Sequence, residues 1–437
     1  MRWRQTRFAR AAKTPVSRWS HIGDNWTDRH GGKNSVTAPI NLAGGDVNPC
    51  EEIRMSGATV DPAVLEKVRG WRPYVEAKLG FRNHWYPAVF SHELLEDKPV
   101  ETMLLGESIL LNRLDGKPRA IRNRCLHRGV KFSKQVECYK KGTITCWYHA
   151  WTYNWADGEL SDIITNPSSS LIGKHRLKTY PVREEKGLIF VFVGDIDPPD
   201  LSSDVPPGFL DEGMAIHGKR RMVKSNWRLG VENGFDASHI FIHKRSKLVA
   251  GNDIALPLGF APIDAGDSTR AVIGDTGPTG LYDLLGEKSI PVFEGELSGE
   301  TVIEGHFGAK KVADNISIWL PGVLKVDPWP QEGMNQFEWY VPVDATTHCY
   351  LQVLGRMTAT KEEADAFRQE VDAKWIELAL DGFNDDDVWA REATEEFYGD
   401  NDRGWIEERL FETDMAIVEW RKLASQRNRG IQRSDNL

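Results

Sequence analysis

Along the chain the apolar positions fall into distinct textures. DPAVLEKVRGWRPYVEAKL, from Asp61, spaces them at helical intervals with Pro62 in the first turn, which predicts a helix. From His84 to about Asp195 they form short runs punctuated by Gly and Asp: ESILLNRL, PRAIRNR, GTITCWYH and LIFVFVG. These predict the strands of a small antiparallel barrel or sandwich. DIDPPDLSSDVPPGF is Pro-rich and reads as a linker. Beyond it KVADNISIWLPGVLKV and NQFEWYVPV are strand-like, while KEEADAFRQEVDAKWIELAL and DDDVWAREATEEFY are helical. Strands followed by late helices predict an α+β domain built around an antiparallel sheet. No internal repeat is visible.

Residues 1–54 share none of these periods. MRWRQTRFARAAKTPVSRWSH carries Arg and Lys without an acid, as organelle transit peptides do, but Ser is sparse. Absence of a period favours a disordered tail over targeting. A third reading makes Met55 the natural start, with Glu51-Glu52 encoded by purine-rich, ribosome-binding-like codons. The remainder divides into an N-terminal helix over 55–83, a first domain over 84–200 and a second over 201–437.

Composition narrows the function classes. Hydrophobic residues are 40% and charged residues 27% of 437, the balance of a globular protein with a sizeable core. No apolar run is long enough to cross a bilayer. A net charge of −9 with no dominant basic stretch argues against a nucleic-acid partner. Five cysteines, two of them close to histidines, read as metal binding in a reducing, cytoplasmic compartment rather than as a disulfide framework. Sixteen Trp and seventeen Phe allow for an aromatic pocket, although most belong to an ordinary core.

Cys125-Leu-His127 and Cys146-Trp-Tyr-His149 lie within the strand-rich region. Two thiolates and two imidazoles supply the four protein ligands of a [2Fe–2S] cluster in which cysteines hold one iron and histidines the other. A Cys₂His₂ zinc site uses the same atom types. C-x-H is too short for finger spacing, however, and both motifs flank strands, so the iron cluster is the better reading. A second constellation runs Asn233-Gly-Phe-Asp236-Ala-Ser-His239-Ile-Phe-Ile-His243. In a helix His239 and His243 form an i,i+4 pair, with Asp236 three residues before His239. Two imidazoles and one carboxylate make the facial triad of non-haem Fe(II), open to O₂. Such a pair also arises by chance or for zinc, but a cluster that delivers electrons makes the iron reading coherent. Asp385, Asp386 and Asp387 are candidates for the third ligand, although acids in a first turn also suit a helix N-terminus.

CLHRGV and CWYHAWTY resemble the two cluster loops of the Rieske non-haem iron ring-hydroxylating oxygenases, and the likeness runs almost throughout from Val60 to Gln432. Val130 stands where respiratory Rieske proteins carry an extra cysteine, and Cys138 matches no ligand position. The resemblance implies a Rieske domain followed by a catalytic domain of helix-grip, START-like form. It implies that Cys125, His127, Cys146 and His149 hold the cluster. It assigns His239, His243 and Asp387 to Fe(II); Asp387 is followed by Glu392 five positions on, and Asp386 is the runner-up. Asp236 then corresponds to the carboxylate that receives a hydrogen bond from His149 of a neighbouring subunit and orients His239, while Asn233 lies near the iron. Alternatively Asp236 is a simple helix cap and Asn233 a helix-start residue.

Members of the family are homotrimers that take electrons from a ferredoxin, itself reduced from NAD(P)H by a reductase, and use O₂ as co-substrate. The implied reaction is angular cis-dihydroxylation of carbazole and related polycyclic aromatics. Ile316, Trp329, Gln336, Glu338 and Phe383 are the implied pocket residues, Trp329 standing where relatives more often show Phe, and the Gly234 carbonyl is a candidate acceptor for the substrate N–H. Arg69, Arg128, Lys131 and Lys134 form a basic group that suits an acidic ferredoxin or is simply a solvated lysine face. A monooxygenase or demethylase of the same fold and, from a different class, a pure electron carrier are the competing readings.

Overall fold

The structure, a computed structural model, describes residues 59–236, 238–252, 269–272, 280–283, 315–399, 402–411 and 414–437. The readings of residues 1–54 and of Met55 lie outside these residues.

The helix expected from Asp61 forms in pieces. Asp61 caps Pro62–Lys67 by accepting from the Ala63 N–H, a turn of 3₁₀ helix follows at Arg69–Trp71, and helix resumes over Arg72–Glu76. Gly70 and Pro73 account for the breaks, since one favours no helix and the other lacks an N–H. Val64, Leu65, Tyr74 and Val75 are buried in the core of the second domain.

The strand-rich half contains three antiparallel sheets. His84–Phe90 pairs with Leu188–Val193, which pairs with Val182–Glu185. A second sheet orders Val100–Leu104, Glu107–Leu114, Lys117–Arg122 and Thr179–Tyr180. A third orders Val136–Glu137, Thr143–Cys146, Trp151–Asn154 and Leu160–Ile163, and it carries the second Cys/His motif at its hairpin end. ESILLNRL and the other short runs thus occupy strands, as their turn punctuation predicts.

The second half is a seven-stranded antiparallel sheet. Met214–Val223 pairs with His348–Met357, followed by Asn335–Pro342, Val323–Asp327, Asn315–Trp319, Gly280–Asp283 and Thr269–Val272. The helix Trp227–Phe235 lies against it, and Lys361–Glu370, an i→i+5 stretch over Val371–Asp381 and the long helix Asn384–Gly399 follow late in the chain. This is the expected α+β arrangement.

The Pro-rich segment is not a loose linker. Leu201, Val205 and Phe209 are buried, and Asp204 is fully buried where it meets His84 Nδ1 at 2.7 Å and the Arg429 guanidinium. Phe209 packs edge-on against Trp339 with ring centroids 5.1 Å apart, and Phe190 meets the same indole. Apolar residues following the prolines therefore join the two halves into one core.

Candidate metal centres

Cys125 and Cys146 are each about 2% exposed and sit in a small core with Phe132, Ile144 and Tyr153. Their loops are built alike. Cys125 O accepts from the Gly129 N–H and Cys146 O from the Ala150 N–H, both at 2.9 Å. Gly129 and Ala150 both take positive φ, at 72° and 58°, which turns each chain back sharply. The two thiols lie in hydrogen-bonding contact, which pushes Cys125 up and draws Cys146 down, each chiefly through the other. The Tyr153 hydroxyl lies 3.5 Å from Cys125 Sγ and accepts from the Leu126 N–H. His127 and His149 face each other at the exposed side, with ring centroids 4.5 Å apart, and Trp151 stacks flat on His127. Two buried sulfurs and two outer imidazoles fit the two-sided donor set of a Rieske cluster.

At the second centre the structure corrects the local geometry. The helix carrying Asn233 ends at Phe235, Asp236 is extended (φ −76°, ψ 118°), and Ser238–Arg245 is 3₁₀ helix. His239 and His243 are therefore not an α-helical i,i+4 pair. Asp387 brings them together: its Oδ1 lies 3.4 Å from His239 Nε2 and 3.4 Å from His243 Nε2. One ligand atom from each of the three residues lies within 4.8 Å of the others. Both His243 ring nitrogens and Asp387 Oδ1 are buried without a hydrogen bond. Buried polar atoms left unpaired together fit a cation site. Burial alone would lower His243, but the Asp387 carboxylate outweighs it and raises the imidazole to about 8. Burial opposes ionisation of Asp387, yet the His243 and Arg391 charges hold it well below the usual carboxylate range. Asp386 is half exposed and meets the other His243 nitrogen, Nδ1, at 3.5 Å.

Asp236 orients His239 through its backbone: the Nδ1–H donates to the Asp236 carbonyl. This tautomer leaves Nε2 as the free lone pair. Asn233 sits in the last turn of its helix rather than the first, and its Oδ1 accepts from Arg391 Nε at 2.6 Å.

The expected pocket residues separate into two groups. Phe383 stacks on the His243 ring (3.6 Å, 15°), and Trp329 lies 4.8 Å from Phe383, making an aromatic wall beside the centre. Ile316 is buried in a core with Leu324 and Tyr340. At Gly234 a Cβ would lie 2.0 Å from the Tyr340 hydroxyl, so only glycine fits. Gln336 and Glu338 belong to a buried polar chain. Glu338 accepts from Tyr340 Oη at 2.6 Å and from Gln336 Nε2, and Gln336 reaches Asn384 Oδ1 at 3.2 Å. Asn384 and the fully buried Arg391, which lies over the Tyr340 and Tyr350 rings, were not foreseen. Their spacing from Asp387, three before and four after on one helix, is the signal that could have marked them.

The basic residues lie on different elements. Arg128 and Lys134 are exposed on the first cluster loop and the turn after it, Lys131 pairs with Glu101 at 2.8 Å, and Arg69 pairs with Glu66 in a turn against the helix Met415–Arg427.

Residues 84–181 match the Rieske [2Fe-2S] domain and residues 192–432 the homotrimeric ring hydroxylase family. The chain belongs to this family of Rieske ring hydroxylases. It is 62% identical over 372 residues to the terminal oxygenase component of carbazole 1,9a-dioxygenase from a Sphingomonas species, covering 85% of this chain and 98% of that one. Among solved structures, the reduced oxygenase–ferredoxin complex of carbazole 1,9a-dioxygenase superposes with a TM-score of 0.83 at 59% identity, over 86% of this chain and 97% of that one. A fluorene-bound complex whose oxygenase has a Phe replaced by Trp gives the same score and identity, over 86% and 99%. Among the described residues no helix is long and apolar enough to cross a membrane.

Proposed function

We infer that this chain is a terminal oxygenase that takes electrons from a ferredoxin and performs angular cis-dihydroxylation of carbazole and related polycyclic aromatics. The observation carrying this reading is that one chain joins both ligand sets while matching a carbazole 1,9a-dioxygenase oxygenase over 98% of its length. Cys125, His127, Cys146 and His149 hold the [2Fe–2S] cluster, and His239, His243 and Asp387 hold Fe(II). When bound, the cluster supplies single electrons and the iron activates O₂. The protein's part is to position and to exclude water. The Asp236 carbonyl keeps the proton on His239 Nδ1, and Phe383 fixes the plane of His243 by stacking. Trp329 and Phe383 present apolar faces suited to a flat aromatic ring.

In a closed trimer, the cluster of one chain serves the iron of the next, with Asp236 at the junction with His149 of the partner subunit. The work belongs in the bacterial cytoplasm, where NAD(P)H feeds the reductase. The ferredoxin approaches Arg128 and Lys134, the basic side chains left exposed beside the cluster. Arg128→Glu should slow ferredoxin-driven turnover several-fold at low ionic strength, with the difference shrinking as salt is added. Equal rates at low salt would remove Arg128 from the docking face. The function itself is tested by supplying the protein with ferredoxin, reductase, NADH and carbazole. A ring-opened aminobiphenyl-diol is expected, and oxidation of NADH without that product would refute the assignment.

A further inference from the structure

We propose that Asn384 is a positioning residue that fixes the orientation of the Asp387 carboxylate and so leaves a single oxygen for the metal. The proposal rests on the reading of His239, His243 and Asp387 as the iron ligands. Asn384 opens the helix Asn384–Gly399 one turn before Asp387, and both side chains are buried, at 3% and 2% exposure. Its amide has only one workable orientation. Gln336 Nε2 donates to Asn384 Oδ1 at 3.2 Å. Nδ2 faces Asp387 Oδ2 at 3.1 Å, the Tyr350 hydroxyl at 3.2 Å and Glu338 Oε1 at 3.4 Å. A flipped amide would set its oxygen against two carboxylates and its NH₂ against another NH₂.

The nearest acceptor, Asp387 Oδ2, is thus held by a directed N–H. The other oxygen, Oδ1, makes no hydrogen bond and faces both imidazoles. A carboxylate turns easily about its last torsion, which has a broad, nearly two-fold profile. Untethered, Asp387 would present either oxygen, or both, to a cation. The tether removes that freedom before metal arrives, as outer hydrogen bonds do for metal-ligating carboxylates in general. Asn384 also follows Phe383, which stacks on His243, so one dipeptide sets two of the three ligands. Gln336 in turn fixes the Asn384 amide, and Glu338 holds Gln336.

The test uses full-length protein stripped of mononuclear iron but retaining its oxidised, EPR-silent cluster, titrated with Co²⁺. In the native chain Co²⁺ should give one well-defined high-spin EPR spectrum. Asn384→Leu, which keeps the branching of Asn but is bulkier and has no donor, should bind Co²⁺ roughly 10–100-fold more weakly and broaden or shift that spectrum. Cluster absorbance should stay native. Native affinity and line shape in Asn384→Leu would overturn the proposal; if that variant does not fold, Asn384→Ala is read by the same criterion. A purely structural role predicts a lower melting temperature with an unchanged Co²⁺ spectrum. His239→Ala serves as the control for the underlying reading: if it binds Co²⁺ as the native chain does, the ligand assignment fails, whatever Asn384 does.

Discussion

His239→Ala should keep the visible spectrum of the cluster at native intensity while dioxygenation of carbazole disappears. The two ligand sets share no residue, and the cluster loops pack in a core of their own with Phe132, Ile144 and Tyr153. His239 is instead held at the second centre by the Asp236 carbonyl and faces Asp387 Oδ1. Losing an outer partner of a metal ligand typically costs about 10–100-fold in metal affinity, so losing a ligand itself should cost more than roughly 100-fold. Iron analysis should accordingly fall from three atoms per chain towards two. Loss of the cluster spectrum in this variant would mean that the two centres are not independently built.

Arg421→Leu should be the most damaging substitution remote from both metals. The guanidinium is 1% exposed and bonded to two carboxylates, from Glu232 and Glu408, whose side chains are 9% and 10% exposed. Its Nε donates to Glu232 at 2.9 Å, and its Cζ lies 5.0 Å from the centroid of the Trp405 ring. Removing the cation strands two acids in a poorly solvated site, a loss of about 3–5 kcal/mol for a broken buried pair. In a chain of 437 residues, whose unfolding entropy scales with length, that lowers the melting temperature by roughly 3–6 °C. Glu232 immediately precedes Asn233 on the helix that leads to Asp236, so the destabilised element is the one entering the iron site. Thermal unfolding followed by circular dichroism checks this; a change under about 2 °C would show that the triad contributes little net stability.

Much of this was legible in the sequence because the chemistry is local. Both Cys/His loops fit within five residues of chain, and the short apolar runs between turn residues occupy strands. What escaped depends on contacts distant in sequence or on where a hydrogen-bond ladder stops. Apolar spacing around Asn233 is helical, but it carries no sign that the helix ends at Phe235 and resumes as 3₁₀ helix at Ser238. Of the three consecutive acids, the burial of Asp387 beside His243 depends on how the helix Asn384–Gly399 docks, which no local pattern encodes. Gln336 and Glu338 alternate on their strand as pocket residues would. Glu338 meets Tyr340 within that strand, whereas the contact of Gln336 with Asn384 emerges only once the helix covers the sheet. The Pro-rich segment misled for a similar reason: its composition is that of a linker, while Asp204 is buried by partners from both ends of the described chain.

The protein's activity is to place both atoms of a single O₂ on an aromatic ring with electrons that reach the iron through the cluster. Incubating the reduced protein with carbazole under ¹⁸O₂ and weighing the ring-opened diol tests it directly. Both hydroxyl oxygens should carry the label and come from the same molecule when ¹⁶O₂ and ¹⁸O₂ are mixed. A product with one labelled oxygen, the other coming from water, would make the protein a monooxygenase of the same fold and contradict the account.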